Sequence, residues 1–199
     1  ATFNLTVNAD NYTSAFETYK YIRDELKVQN INCTLIRGKK ADTLSLEQRQ
    51  KIAEVYKTIQ QALDNDFDSG KIQGYVDNTL TNHVLNAKNK MQWKYVLKTF
   101  NENRYISPCT AGSLFGVIYS NGDVLPCEIL EKPIGNLKDF DYDFSKCWTC
   151  DEAEKQKDYI KKSKCFCTFE CSWLINILSS PSYFPELSFH ILNNIIKTF

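Results

Sequence analysis

Hydrophobic and polar positions change their period several times along the chain, and each change predicts an element. TFNLTVN, residues 2–8, is rich in strand-forming types, and the polar NADNYTS behind it ends in Ser14, a residue suited to cap a helix. Phe16, Tyr19, Ile22 and Leu26 then recur at helical spacing. INCTLIRG, residues 31–38, reads as a second strand closed by Gly38. From Ser45 a long helix is expected, with Leu46, Ile52, Val55, Tyr56, Ile59 and Leu63 as its apolar stripe. Another amphipathic stretch covers about Thr79 to Phe100. Strand, helix, strand, helix with short links predicts βαβ geometry and parallel pairing. Two parallel strands do not make a stable sheet unaided, so this half reads as the tail of something larger.

Near residues 101–108 the texture changes. LFGVIYSNGDVLPCEIL reads as a hairpin around Asn121-Gly122, the dipeptide that a two-residue type I′ turn requires. IGNLKDFDYDF reads as a turn-rich linker. Helices are expected over about Cys150–Lys162 and Phe169–Leu178, with a helical tail after Pro185. The expected fold is α/β, α+β taken whole, with one unit over residues 1–104 and another over 105–199.

Composition narrows the partners. Lys+Arg and Asp+Glu balance at 24 each, so no net field points to nucleic acid or an anionic membrane. Apolar runs such as Trp173–Leu178 are far too short to span a bilayer. The opening ATFNLTVNAD has neither the basic nor the apolar region of a signal peptide.

Cysteine placement changes the picture most. Of 8 cysteines, Cys33 stands alone, whereas Cys109, Cys127, Cys147, Cys150, Cys165, Cys167 and Cys171 all lie beyond residue 108. Cys109 precedes the hairpin and Cys127 follows it, so the turn brings the two together. Cys165-x-Cys167-x3-Cys171 adds a tight loop running into a helix start, where backbone N–H groups and the helix dipole favour a thiolate. Two ligands from the hairpin and two from the loop make a four-thiolate site, the donor set of structural zinc or of a [4Fe–4S] cluster. Disulfides stay open, since an even count permits about 105 pairings, although the C-x-C pair bridges poorly. His83 and His190 read as ordinary surface or core residues, while Glu128 and Glu170 flank ligand positions and are candidates to contact them.

SPCTAGSLFGVIYSNGDVLPCEIL, IGNL and CFCTFEC together resemble the SPASM or twitch auxiliary-cluster region of radical S-adenosylmethionine (SAM) enzymes, over about Ser107 to Pro181. Cys109, Gly122 and Cys127 match the opening of that motif. The strand–helix rhythm of the first half, with LIRG, is similar to the last βα units of the family's partial TIM-type barrel. The resemblance implies one [4Fe–4S] cluster on Cys109, Cys127 and two of Cys165, Cys167 and Cys171, with Cys147 and Cys150 as candidates for a second. It implies that Asn8 and Arg37, at strand ends, face SAM and substrate. It also implies a parent oxidoreductase that abstracts hydrogen through a 5′-deoxyadenosyl radical from a peptide, protein or small-molecule substrate. The family's SAM-cleaving C-x3-C-x2-C spacing does not occur in this sequence. The chain therefore reads as the portion C-terminal to a missing radical SAM half, and alone it is expected not to cleave SAM. Iron–sulfur chemistry favours a reducing, cytoplasmic setting. The rival reading from the residues is a zinc-stapled peptide-binding module without a redox role, and a third is a secreted, disulfide-bonded domain.

Overall fold

In a computed structural model, which describes residues 2–72 and 79–196, β1 (Thr2–Val7) and β2 (Asn30–Leu35) pair in parallel. Thr2 lies opposite Asn30 and Val7 opposite Leu35. Leu5, Val7, Cys33 and Leu35 enter the core, whereas on the other face Thr6 meets Thr34 at 2.9 Å and Asn32 donates to Asn4 at 3.2 Å. The alternation follows from the two-residue period of a strand.

Between the strands, α1 (Ala15–Asp24) sends Tyr19 and Ile22 inward. Ser14 sits at its N-cap position as expected, yet its hydroxyl donates back to the Asn11 carbonyl and caps no helical N–H. After the short α2 (Lys39–Asp42), α3 (Leu46–Asp68) opens on a capping box in which Ser45 and Gln48 each accept the other's backbone N–H, at 3.0 and 3.1 Å. Its Ile52, Tyr56, Ile59 and Leu63 are buried against β2 and α1. Such side chains each contribute about 1.5–3 kcal/mol when fully buried. Asp66 of α3 accepts from the Tyr19 hydroxyl at 2.5 Å and pairs with Arg23, which ties α1 to α3.

α4 (Leu80–Glu102) follows, begun by Thr79 and ended by Asn103 in the left-handed region. The cysteine-rich region comes next. β3 (Val117–Ile118) and β4 (Asp123–Leu125) form the expected hairpin, but its loop differs. Tyr119 and Asp123 close the ladder, and Ser120, Asn121 and Gly122 make a three-residue loop with only Gly122 at positive φ (+97°). A type I′ turn needs positive φ at both central residues; here a right-handed turn followed by a glycine bulge matches the strand twist instead. The expected linker supplies a third strand, β5 (Gly135–Asn136), paired antiparallel to β4.

The chain ends in α5 (Phe144–Trp148), α6 (Asp151–Lys162), α7 (Glu170–Ser179) and α8 (Phe184–Ile196). Trp173, Ile177, Tyr183 and Leu187 return to the first core, packed with α4, so the main core crosses the division expected at 104/105. Among the described residues the architecture is mixed α/β with two small sheets. Among the described residues no helix is long and apolar enough to cross a membrane.

Candidate metal centre

Three separated segments converge on one small cluster of side chains. Ala111, Cys127, Ile160 and Phe169 are its buried members, and Cys109, Cys165, Cys167, Phe115 and Ile129 pack against them. Cys109 comes near Cys127 because the segment before the hairpin folds onto its far end. Gly112 (φ +75°) donates its N–H to the Pro126 carbonyl at 3.1 Å, and a Cβ there would stand 3.1 Å from the Pro126 side chain. Only a glycine lets the two segments approach so closely at that φ. Cys165 and Cys167 arrive from the loop after α6, whose turn Lys164 closes with positive φ and whose Cys165 N–H donates to the Ile160 carbonyl at 3.1 Å.

α7 is the platform under this site. Buried Asn176 accepts from both the N–H and the hydroxyl of Thr110, at 3.1 and 2.8 Å, and so pins the residue beside Cys109. The Ser172 hydroxyl lies 3.3 Å from the Cys109 sulfur, and the Trp173 indole donates to the Cys167 carbonyl at 3.0 Å. Two sulfurs accept backbone hydrogen bonds from the residue two positions on: Ile129 N–H to Cys127 and Phe169 N–H to Cys167, each 3.4 Å. These donors stabilise sulfur as it gains negative charge.

The thiols influence one another. Burial pushes Cys165 up to about 11, and neighbouring Cys109 and Cys127 add to the rise. Burial likewise pushes Cys167 up to about 12, against the opposing Phe169 N–H and with Cys127, Cys109 and Cys165 contributing. Burial raises Cys127 as well, partly offset by the backbone donors behind it. At neutral pH Cys127, Cys165 and Cys167 therefore carry their protons when no metal is bound, and a metal that binds must displace them. Among the described residues no three of the Cys, His, Asp and Glu side chains stand around one point ready for a single ion. One tetrahedral zinc would need its sulfurs about 3.8 Å apart, given Zn–S bonds of about 2.3 Å.

Cys171 is the fifth candidate. It is exposed on α7, near Glu170, Arg37 and Glu128. Cys147 and Cys150 belong to a separate cluster with Val124, Ile134 and Ala153; Cys147 is fully buried and Cys150 donates to the Ile134 carbonyl at 3.4 Å. Cys33 lies on β2 and is buried in the main core. All eight are unbridged thiols.

Asn8 and Arg37 line one cavity of about 660 Å³, at the end and on the polar face of the β1–β2 pair. Asn8 is engaged in its own loop, accepting from the N–H groups of Asp10 and Asn11 at 2.7 and 3.2 Å. Arg37 pairs with Glu170 at 3.3 Å and approaches Glu128 at 3.7 Å. Sequence reasoning singled out both glutamates beside the cysteines without naming Arg37 as their partner. It missed Ser172 and Asn176, which no spacing marks.

No family model matches this chain, and no curated protein or solved structure matches it.

Proposed function

We propose that the chain is the auxiliary-cluster portion of a radical SAM enzyme, in which Cys109, Cys127, Cys165 and Cys167 hold one [4Fe–4S] cluster. The observation that carries this reading is the meeting of four thiols from three segments in one apolar cluster, two of them with backbone N–H donors at sulfur. When bound, the [4Fe–4S] cluster supplies either an anchor for substrate or a one-electron acceptor.

The chain's own groups do the rest. The Ile129 and Phe169 N–H groups offset charge on Cys127 and Cys167, while Phe115, Ile160 and Phe169 keep water from the sulfurs. The cavity beside Asn8 and Arg37 takes the substrate side, a peptide, protein or small molecule presented together with SAM by the missing half. Cys147 and Cys150, in their separate cluster, are outside this four-ligand set. A reducing cytoplasm keeps the thiols available.

The test is iron, acid-labile sulfide and zinc per chain after purification without oxygen, with the visible spectrum. About four iron and four sulfide with a broad band near 400 nm support the reading, and about eight of each bring Cys147 and Cys150 into a second cluster. One zinc without sulfide overturns the redox role and leaves a structural staple. The chain alone should form no 5′-deoxyadenosine from SAM; any that forms contradicts the missing-half reading.

A further inference from the structure

Two of the three segments that carry the thiols run on toward Arg37 as arms. The first continues from Cys127 into Glu128 and the short turn Glu128–Leu130. The second continues from Cys167 through Thr168 and Phe169 into Glu170, the first residue of α7. Arg37 stands between them. One guanidinium nitrogen reaches a Glu128 oxygen at 3.7 Å and another a Glu170 oxygen at 3.3 Å. Its central carbon lies 4.7 Å from the centre of the Phe169 ring. Phe169 is also the residue whose N–H donates to the Cys167 sulfur.

The strand end that carries Arg37 is itself fastened to the second arm. Glu170 accepts the Leu35 N–H at 3.2 Å, and the Thr168 hydroxyl donates to the Ile36 carbonyl at 3.2 Å. The Glu170 side chain is only 10% exposed, so burial raises its pKa and Arg37 opposes that rise. Glu128 is 45% exposed and free to follow its arm. A planar guanidinium can serve two carboxylates and lie on a ring at once, which a lysine ammonium cannot.

We propose that Arg37 is a positioning residue for the thiol site, clamping the Cys127 arm to the Cys167 arm and holding a fixed positive charge beside both. The proposal rests on the reading of these thiols as metal ligands. It goes further in giving the end of β2 a direct role in shaping the site, because the same Arg37 lines the strand-end cavity. Four thiolates gather negative charge, and a cation held by its own carboxylate partners steadies the arms without ligating.

The experiment compares the wild-type chain with Arg37→Met, Arg37→Lys and Glu128→Gln. Hydrogen exchange of the metal-free proteins is read at the Ile129 and Phe169 amides, with α3 amides as the folding control. Cobalt(II) affinity is read through its thiolate absorption. Arg37→Met should speed exchange at both amides and weaken cobalt binding by about tenfold, a difference near 1.4 kcal/mol. Arg37→Lys should recover only part of each loss. Glu128→Gln, at an exposed side chain, should speed exchange at Ile129 and leave Phe169 unchanged, which keeps the test valid even if Arg37→Met folds poorly. Unchanged exchange at both amides in Arg37→Met, or full recovery by Arg37→Lys, overturns the clamp. A wild-type chain that binds neither cobalt nor iron defeats the metal reading instead, and the exchange comparison still decides the clamp.

Discussion

The core around β1, β2 and α3 and the pocket around Cys127 are built on opposite principles. The first gathers Tyr19, Ile52, Tyr56, Ile59 and Leu63, all essentially without solvent exposure, from a continuous run of strand and helix. The second has four buried members, Cys127 among them, and half of the residues packed against it, Cys109, Cys165 and Cys167, are half-buried thiols beside Phe115, Ile129 and Leu130. Apolar burial alone specifies the first. The second brings several ionisable thiols into an apolar pocket, where burial holds Cys127, Cys165 and Cys167 in the protonated form until a metal displaces the proton. The proposed metal role and plain packing of small apolar thiols predict different responses to mutation.

Perturbing the two regions should therefore give opposite outcomes. The largest effect is expected from Cys127→Ser or Cys167→Ser, which removes a sulfur that accepts a backbone N–H. Iron content should fall to background, while amide exchange across α3 stays as in the wild type. Loss of α3 protection would mean that the two regions do not stand apart.

Ile59→Ala makes the complementary break. Ile59 has no exposure and sits in the main core, so its truncation should cost about 2–4 kcal/mol in denaturant unfolding. Metal content per folded chain should not change.

Lys88 offers a smaller effect with a distinctive pH dependence. It lies buried in α4, its ammonium donating to the side chains of Asn89 and Gln92, and burial lowers its pKa from 10.5 to about 8. Between pH 8 and 10.5 the unfolded chain binds a proton that the folded chain has released, so this group makes stability rise with pH across that window. Lys88→Met should stabilise the chain by about 1–2 kcal/mol at pH 7. The advantage should shrink as pH climbs through the window, and a pH-independent difference in unfolding midpoint would contradict the assignment.

The smallest effect belongs to Cys171→Ser. Cys171 is exposed and lies on the Arg37 side of α7, so iron and sulfide per chain should match the wild type. A loss comparable to that of Cys127→Ser would place Cys171 among the ligands.

Much of the first region was legible because long helices repeat their apolar positions over many turns. The α3 stripe from Ile52 to Leu63 and its start at Ser45 could be read directly. The hairpin was located by Asn121-Gly122, yet its loop length depends on whether Tyr119 and Asp123 pair, a choice that the dipeptide does not encode. β5 is two residues long and forms through contact with Val124 and Asp123, distant in sequence, so no period announces it. The five candidate cysteines were visible, but the surroundings of Cys171, exposed near Arg37 and Glu128, depend on the rotation of α7. One residue on, it is Ser172 that meets Cys109. At about 3.6 residues per turn, adjacent positions point in different directions. Asn176 and Arg37 act across long sequence separations, to Thr110 and to Glu170, and local pattern carries no trace of either contact.

The central claim is the identity of the four ligands, and the most direct test is mass-spectrometric mapping of alkylation at each cysteine, before and after iron and sulfide are loaded without oxygen. The account predicts that loading protects Cys109, Cys127, Cys165 and Cys167 together, while Cys150 and Cys171 are alkylated equally in both states. Protection of Cys171 in place of one of the four, or no change at any cysteine on loading, would contradict it.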